Sequence, residues 1–373
     1  MKKTVIMLLV LALIMALVLP ACSSEKKEQA QEAKESPKNI KLTYASYLKE
    51  DFSNNLTTKW WMDEVTKRTN GQVVFETYYS GILLKGEELL KGCGRGQADI
   101  VLAPDSYTAD LTPLSMVQVL PFMSDKMDSY MNAIYEMFTT EPLLLEEFKK
   151  NGVHFLAEIP VAANILGAKQ NIDSMEKLKG KRIRCMNVIA AVMQKLGAVP
   201  VGLPLGDVYD GISKGVIDGY SLTDFTLATM NKLYEVAPYM IDTGMGEFGG
   251  MWFVINENKW QSLPEDVKKV MTQVAQEAIQ KHVALYEGIE SQKVEEAYKG
   301  KAKVVIWSEM EKEKLKNTVA QKIWDDWAKD LDNKGLKGTY ILNKWKEIVE
   351  KHNKESKYVS PYQKFVDKYG AVK

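Results

Sequence analysis

The residue in this chain best equipped for chemistry is an arginine. In Gly180-Lys181-Arg182-Ile183-Arg184-Cys185-Met186-Asn187 the alternation reads as a strand whose end presents Arg184 to a cleft. Glycine and acid signals return at Gly206-Asp207-Val208-Tyr209 and at Gly215-Val216-Ile217-Asp218-Gly219. A guanidinium is planar, permanently charged and forked, so it fits a carboxylate bidentately, and one such group at a strand end can select small anions as a class. The alternative on these residues alone is a strand arginine paired with a surface acid.

Other chemistries find no constellation. His154, His282 and His352 are far apart, with neither a cysteine nor a second histidine beside any of them, so no metal site is expected. Gly92-Cys93-Gly94-Arg95-Gly96 is glycine-rich, yet a phosphate cradle follows a strand and opens a helix, whereas here a helical pattern precedes and a strand pattern follows. It reads as a helix end and turn. No Walker lysine, Gly-x-Ser-x-Gly elbow or His-Glu-x-x-His helix occurs, and the expectation is a protein without catalysis and without a cofactor. Charge is balanced: once Lys2 and Lys3 leave with the leader, 47 basic residues face 49 acidic ones, which argues against nucleic acid as a partner.

The elements that must position Arg184 alternate. Ile40 to Ser46 reads as a strand, Asn54 to Lys67 as a helix with Leu56, Trp60, Trp61 and Val65 on one side, and Thr69-Asn70-Gly71 as its stop. Gln72 to Tyr79 is strand-like, Gly86 to Cys93 a short helix, and Ala98 to Ala103 a compact apolar run of the kind buried in a parallel sheet. A second unit starts near Gly167. Ile183–Met186, Val199–Leu203 and Val216–Ser221 are its strands, with helices at Val188–Leu196 and Asp207–Ser213 between them. This predicts an α/β fold of two domains with a ligand cleft between them, beyond the carboxyl ends of the strands.

Ser262-Leu263-Pro264-Glu265 predicts a capping box opening a helix to about residue 298, with Val267, Val270, Met271, Val274, Ala278 and Val283 on one face. A helix of roughly 50 Å touches both domains. Glu309–Asp330 and Leu342–His352 read as structural amphipathic helices anchored by Ile323, Trp324 and Trp327. The boundaries expected are 40–166 plus 248–288 for domain I and 167–247 plus 289–373 for domain II.

The amino terminus sets the compartment. Lys2 and Lys3 precede fifteen apolar residues from Val5 to Leu19, too few to span a bilayer, and Leu19-Pro20-Ala21-Cys22 follows. Residues 1–21 read as a signal peptide, with Cys22 placed as in the lipobox of bacterial lipoproteins. Its lipid then anchors the protein to the cell membrane through a solvated tether, 22–39, that carries no core-forming residue. Cys93 and Cys185 read as two small buried side chains in different domains rather than a bridge.

In this order, Thr69-Asn70-Gly71, Gly96-Gln97-Ala98-Asp99-Ile100, Leu120-Pro121-Phe122, Leu178-Lys179-Gly180-Lys181-Arg182-Ile183-Arg184, Gly197-Ala198-Val199-Pro200, Val208-Tyr209 and Gly215-Val216-Ile217-Asp218-Gly219 resemble the DctP-type solute-binding proteins of tripartite ATP-independent periplasmic (TRAP) transporters. Asn256-x-x-x-Trp260-x-x-Leu263-Pro264 with its following helix fits as well.

The resemblance implies a periplasmic-binding-protein-like receptor that closes on a small organic acid and delivers it to an ion-gradient-driven permease. It places the carboxylate contact on Arg184, a second contact on Asn187, a second basic residue on Lys169, and pocket positions on Tyr107 and Tyr220. Tyr47 and Trp252 are candidate stacking walls, or plain packing. Leu222 and Pro104 stand where sialic-acid binders carry an asparagine and a pocket acid, which points to a smaller or more apolar carboxylate, aromatic or branched. Rival readings are the receptor of an ATP-driven importer, a ligand sensor for a receptor kinase, and an anchored hydrolase. Removing Arg184 is expected to abolish binding and to leave the stability of the free protein little changed.

Overall fold

The computed structural model describes residues 39–246 and 249–370. The expected signal peptide, Cys22 and all of the expected tether but Asn39 lie outside the described residues. Eleven strands among the described residues are β1 (Ile40–Ser46), β2 (Val73–Tyr78), β3 (Ile100–Pro104), β4 (Val153–Pro160), β5 (Ile165–Ala168), β6 (Arg182–Arg184), β7 (Val199–Val201), β8 (Gly219–Tyr220), β9 (Tyr239–Asp242), β10 (Gly250–Asn256) and β11 (Lys303–Ile306). They form two sheets, ordered β2-β1-β3-β10-β4 and β11-β9-β5-β8-β6-β7.

In the first sheet β2, β1 and β3 run parallel, and β10 lies antiparallel between β3 and β4. Both faces are covered. Leu42, Tyr44, Ile100, Leu102 and Phe253 enter one core with Trp61, while Ala45, Val101, Ala103 and Trp252 enter the other. That two-sided burial is why Ile100–Pro104 is apolar at every position rather than alternating. In the second sheet β7, β6 and β8 are parallel, β5 is antiparallel to β8 and β9, and β11 closes the edge parallel to β9.

The strands of the second sheet are shorter than the sequence suggests, and β8 is two residues long. Gly215 turns the chain at φ +72°. Asp218 then caps β6 rather than pairing as strand, accepting from the Arg182 backbone N–H at 2.9 Å and from its guanidinium at 2.8 Å. Cys93 and Cys185 are free and buried.

The helix Glu265–Lys299 joins the two halves. Val267, Met271, Val274 and Ala275 pack with the first sheet, and Val294 and Ala297 with the second. Thirty-five residues at 1.5 Å each span roughly 50 Å. The expected capping box is absent. Ser262 ends the preceding helix Glu257–Ser262 and donates back to the Lys259 carbonyl, so Pro264 occupies the cap position without a side-chain bond.

A second departure concerns the helix Ser53–Arg68. Leu56 and Trp60 are only half-buried, whereas Ser53, Asn54, Asn55, Thr57 and Thr58 are buried. The chain crosses between sheets at Pro160–Ile165, where the β4 strand ends. Asn54 Nδ2 donates to the Ile159 and Pro160 carbonyls at 3.1 and 3.0 Å. His282 of the long helix also reaches Pro160 O (3.1 Å), and its Nδ1 lies 2.8 Å from Thr57 Oγ1. A carbonyl accepts only, so His282 carries its proton on Nε2 and accepts from Thr57.

Two buried acids lie further along this seam. Asp224 accepts from Tyr286 Oη at 2.6 Å and from the Leu227 N–H, and burial raises it to about 6. Burial, with Asp224 nearby, raises Glu290 to about 8, and its Oε2 has no hydrogen-bond partner. A group whose folded pKa lies above its unfolded one holds a proton that the unfolded chain has released, so the folded state loses stability as pH rises from about 4.5 to about 8. His282, lowered to about 4 by burial, works in the opposite sense and costs stability as pH falls below its unfolded value of about 6.5. We therefore expect the thermal midpoint to fall between pH 5 and pH 8.5, and Glu290→Gln to flatten that fall; identical slopes for both proteins in differential scanning calorimetry would exclude Glu290 as a contributor.

Candidate functional site

The parallel strands of both sheets end on one cleft. Tyr47 follows β1, Asp105, Ser106 and Tyr107 follow β3, Arg184 ends β6, and Leu222 and Thr223 follow β8; all seven line the same cavity. Strand carboxyl ends gather ligands in such sheets because side chains from several strands converge there. Val161, Leu205, Leu227 and Met251 complete an apolar wall.

Arg184 is 3 % exposed. Its Nε donates to the Leu203 carbonyl at 2.8 Å, and Nη1 donates to the Ser221 and Leu222 carbonyls at 3.1 and 2.9 Å. These bonds aim the fork without neutralising it, and among the described residues no carboxylate pairs with it. Burial pulls the guanidinium down from its ordinary value, but a group that starts above 12 stays charged at neutral pH. Leu222 is held at φ +61°, a conformation disfavoured for a branched side chain, and its carbonyl is one of the three that Arg184 clamps.

Asn187, at φ +51°, bridges the cleft from the second half: its Nδ2 donates to the Ser106 carbonyl at 2.8 Å. With this bridge made, the cavity is narrow, about 50 Å³. Tyr47 and Tyr107 face each other with ring centroids 6.3 Å apart, and burial pushes both hydroxyls up, so both remain neutral.

Four sequence candidates are not part of this lining: Asn187, which reaches it only through Ser106, and Tyr220, Trp252 and Lys169. Tyr220 lies opposite Gly167 across β8 and β5 and is fully buried, and a Cβ at Gly167 would sit 2.0 Å from its ring, so it packs into the core with Phe225 and Met240. Trp252 is also fully buried, packed tilted against Phe138 and edge-on to Phe148, and spends its Nε1 on Thr108 Oγ1 at 3.0 Å. Lys169 is exposed. Because β5 runs antiparallel to β8, its carboxyl end lies beside the start of β8, away from the end that carries Thr223. The sequence singled out Arg184, Asn187, Tyr47 and Tyr107 but missed Asp105, Thr223, Val161, Leu205, Leu227 and Met251. Only Asp105 left a signal, as an acid directly after an apolar strand.

A larger cavity, about 370 Å³, lies between Glu290, Asp242, Lys312 and Tyr362. Size does not make it the better candidate. Lys312 is paired with Asp242 at 2.8 Å and with Glu309 at 3.3 Å, so its charge is already matched. Among the described residues no cluster of three or more His, Cys, Asp or Glu could hold a metal ion, and no helix is long and apolar enough to cross a membrane.

The family model for bacterial extracellular solute-binding protein family 7, DctP, matches residues 44–330. The chain belongs to this family. It is 25 % identical over 236 residues to the ectoine-binding periplasmic protein TeaA of Halomonas elongata, covering 61 % of this chain and 67 % of that one. To the C4-dicarboxylate-binding periplasmic protein DctP of Rhodobacter capsulatus it is 28 % identical over 206 residues, 54 % of this chain and 60 % of that one.

Among solved structures, it resembles a marine metagenome TRAP solute-binding protein specific for aromatic acid ligands, in complex with 3-hydroxybenzoate. The TM-score is 0.76 at 25 % identity, over 85 % of this chain and 99 % of that one. A TRAP solute-binding protein from Rhodoferax ferrireducens shares the fold at TM-score 0.77 and 24 % identity, over 85 % and 99 % of the two chains. This DctP-family chain is thus a TRAP-type solute receptor that works outside the cytoplasm, and the reading as a receptor for an ATP-driven importer gives way to it.

The structure also corrects the expectation that Arg184 is dispensable for stability. Three carbonyls from two loops depend on it, and a buried carbonyl left without a donor costs about 1–3 kcal/mol. Arg184→Ala is expected to lower the urea midpoint of the free protein clearly; an unchanged midpoint would show that these loops hold themselves.

Proposed function

We propose that this receptor binds a small monocarboxylate with an apolar body in the cleft, closes over it, and hands it to the membrane subunits of a TRAP permease. The observation that carries the reading is Arg184: a buried guanidinium, oriented by three carbonyls and lacking a carboxylate partner, at the meeting point of four strand ends. A carboxylate supplies the charge that the carbonyls cannot. Tyr47, Tyr107, Leu222, Leu227 and Met251 give the body of the ligand a mostly apolar enclosure, suited to an aromatic or branched acid. The aromatic-acid receptor with which the chain shares its fold supports the same cargo.

In this reading Asn187 contributes to closure through Ser106 rather than as a direct ligand contact. Closure moves residues 40–166 with 248–288 against 167–247 with 289–373, with the long helix and the crossing at Pro160–Ile165 as the hinge. The receptor performs no chemistry on its cargo and needs no cofactor. Cys22 carries a lipid that holds it at the cell membrane, with residues 22–39 as the tether.

Two measurements test this. Arg184→Lys keeps a charge but loses the fork, and benzoate affinity by calorimetry is expected to drop roughly 10- to 100-fold; undiminished binding would remove Arg184 from the site. Cys22→Ser is expected to shift the protein from the membrane to the soluble fraction of cells, and unaltered fractionation would rule out a Cys22 lipid as the anchor.

A further inference from the structure

Arg184 and Asp105 are the two charged residues in the cavity lining, and they come from opposite halves of the molecule. Asp105 is 3 % exposed and is fixed in place. Gln118 Nε2 and the Gly250 backbone N–H both donate to its Oδ2, at 2.6 and 2.7 Å. Behind it, on β4, Glu158 is equally buried and neither of its oxygens has a hydrogen-bond partner. Asp105 thus has a second acid at its back rather than a compensating cation. On the side of Arg184, Thr223 is 2 % exposed and its Oγ1 also lacks a partner.

We infer that the ligand carries, away from its carboxylate, a group that donates a hydrogen bond to Asp105, and that Asp105 rejects dicarboxylates. The inference rests on Arg184 taking the carboxylate. Once that cation is matched, the remaining charged group of the lining is an acid. A hydroxyl or an ammonium can donate to a carboxylate in the cavity wall, whereas a second carboxylate meets it with like charge. A hydrophobic end offers the buried acid no donor, and a site built around a polar partner discriminates strongly against an analogue that lacks it. Burial raises Asp105 to about 6, so at pH 7 and above it is mainly the acceptor form. Thr223 can add a hydroxyl to the carboxylate end, beside the carbonyl of Leu222 that Arg184 holds.

The test is calorimetry at pH 8 with benzoate, 3-hydroxybenzoate, 3-(aminomethyl)benzoate and succinate, on the wild-type protein and on Asp105→Asn. The asparagine keeps the size of the side chain and can keep accepting from Gln118 and Gly250 through its oxygen. The wild type is expected to bind at least one of the two donor-bearing acids tenfold or more tightly than benzoate, and succinate more weakly than benzoate. Preference for the hydroxyl alone identifies a neutral donor, and preference for the aminomethyl compound a zwitterion. In Asp105→Asn the ratio of 3-(aminomethyl)benzoate to benzoate affinity is expected to fall at least tenfold.

Benzoate binding as tightly as both donor-bearing acids, or succinate binding best, overturns the inference while leaving Arg184 as the carboxylate site. Failure of all four acids to bind overturns the carboxylate reading and this inference with it.

Discussion

Everything about this cleft follows from one buried cation. Arg184 sits at the end of a three-residue strand, out of water, with its fork held by carbonyls of the loops that follow β7 and β8. Neutral acceptors orient a guanidinium and offset part of its lost hydration, but they leave its charge uncompensated. On the proposed reading, that residual charge is what an anionic ligand matches. The same bonds join three segments of the second half, so the anion site and the local fold are one structure. Leu222 shows the cost: its backbone is kept in the left-handed region where its carbonyl meets Arg184.

The hinge solves a different problem. β4 is an edge strand that ends where the chain crosses to the other sheet, so buried carbonyls on its open side must find donors elsewhere. Ile159 and Pro160 find them in Asn54 and His282, and Tyr286 ties the long helix to Asp224 just beyond β8. These bonds run between the helix Ser53–Arg68, the long helix and the crossing segments. In the proposed closure such a polar seam can serve as the hinge, because hydrogen bonds can reorient where interlocked apolar side chains would have to unpack.

Relatives named for ectoine and for C4-dicarboxylates match this chain in sequence, and a receptor named for aromatic acids shares its fold. The framework of strand ends and the long helix therefore does not by itself name a cargo. In this chain the choice falls to the residues facing the fork: the tyrosine pair Tyr47 and Tyr107, the apolar Leu205, Leu227 and Met251, and the acid Asp105.

The sequence by itself determined the layout. Period-two runs, the long amphipathic stretch after Pro264 and the ordered glycine and acid signals were enough for two α/β units, a bridging helix and Arg184 at a strand end, because each depends on neighbours within a few residues. It could not show which way a side chain points once strands pair. Tyr220 and Trp252 belong to strands buried on both faces, so their registers against Gly167 and Glu158, invisible in one dimension, sent them into the core. The antiparallel run of β5 carried Lys169 to the far end of the sheet. Tertiary structure likewise decided that Ser53–Thr58 would be a buried polar face, because the carbonyls it serves lie more than a hundred residues away. It also decided that Asp105 and Arg184 line one cavity, because that grouping exists only once the ends of two sheets come together.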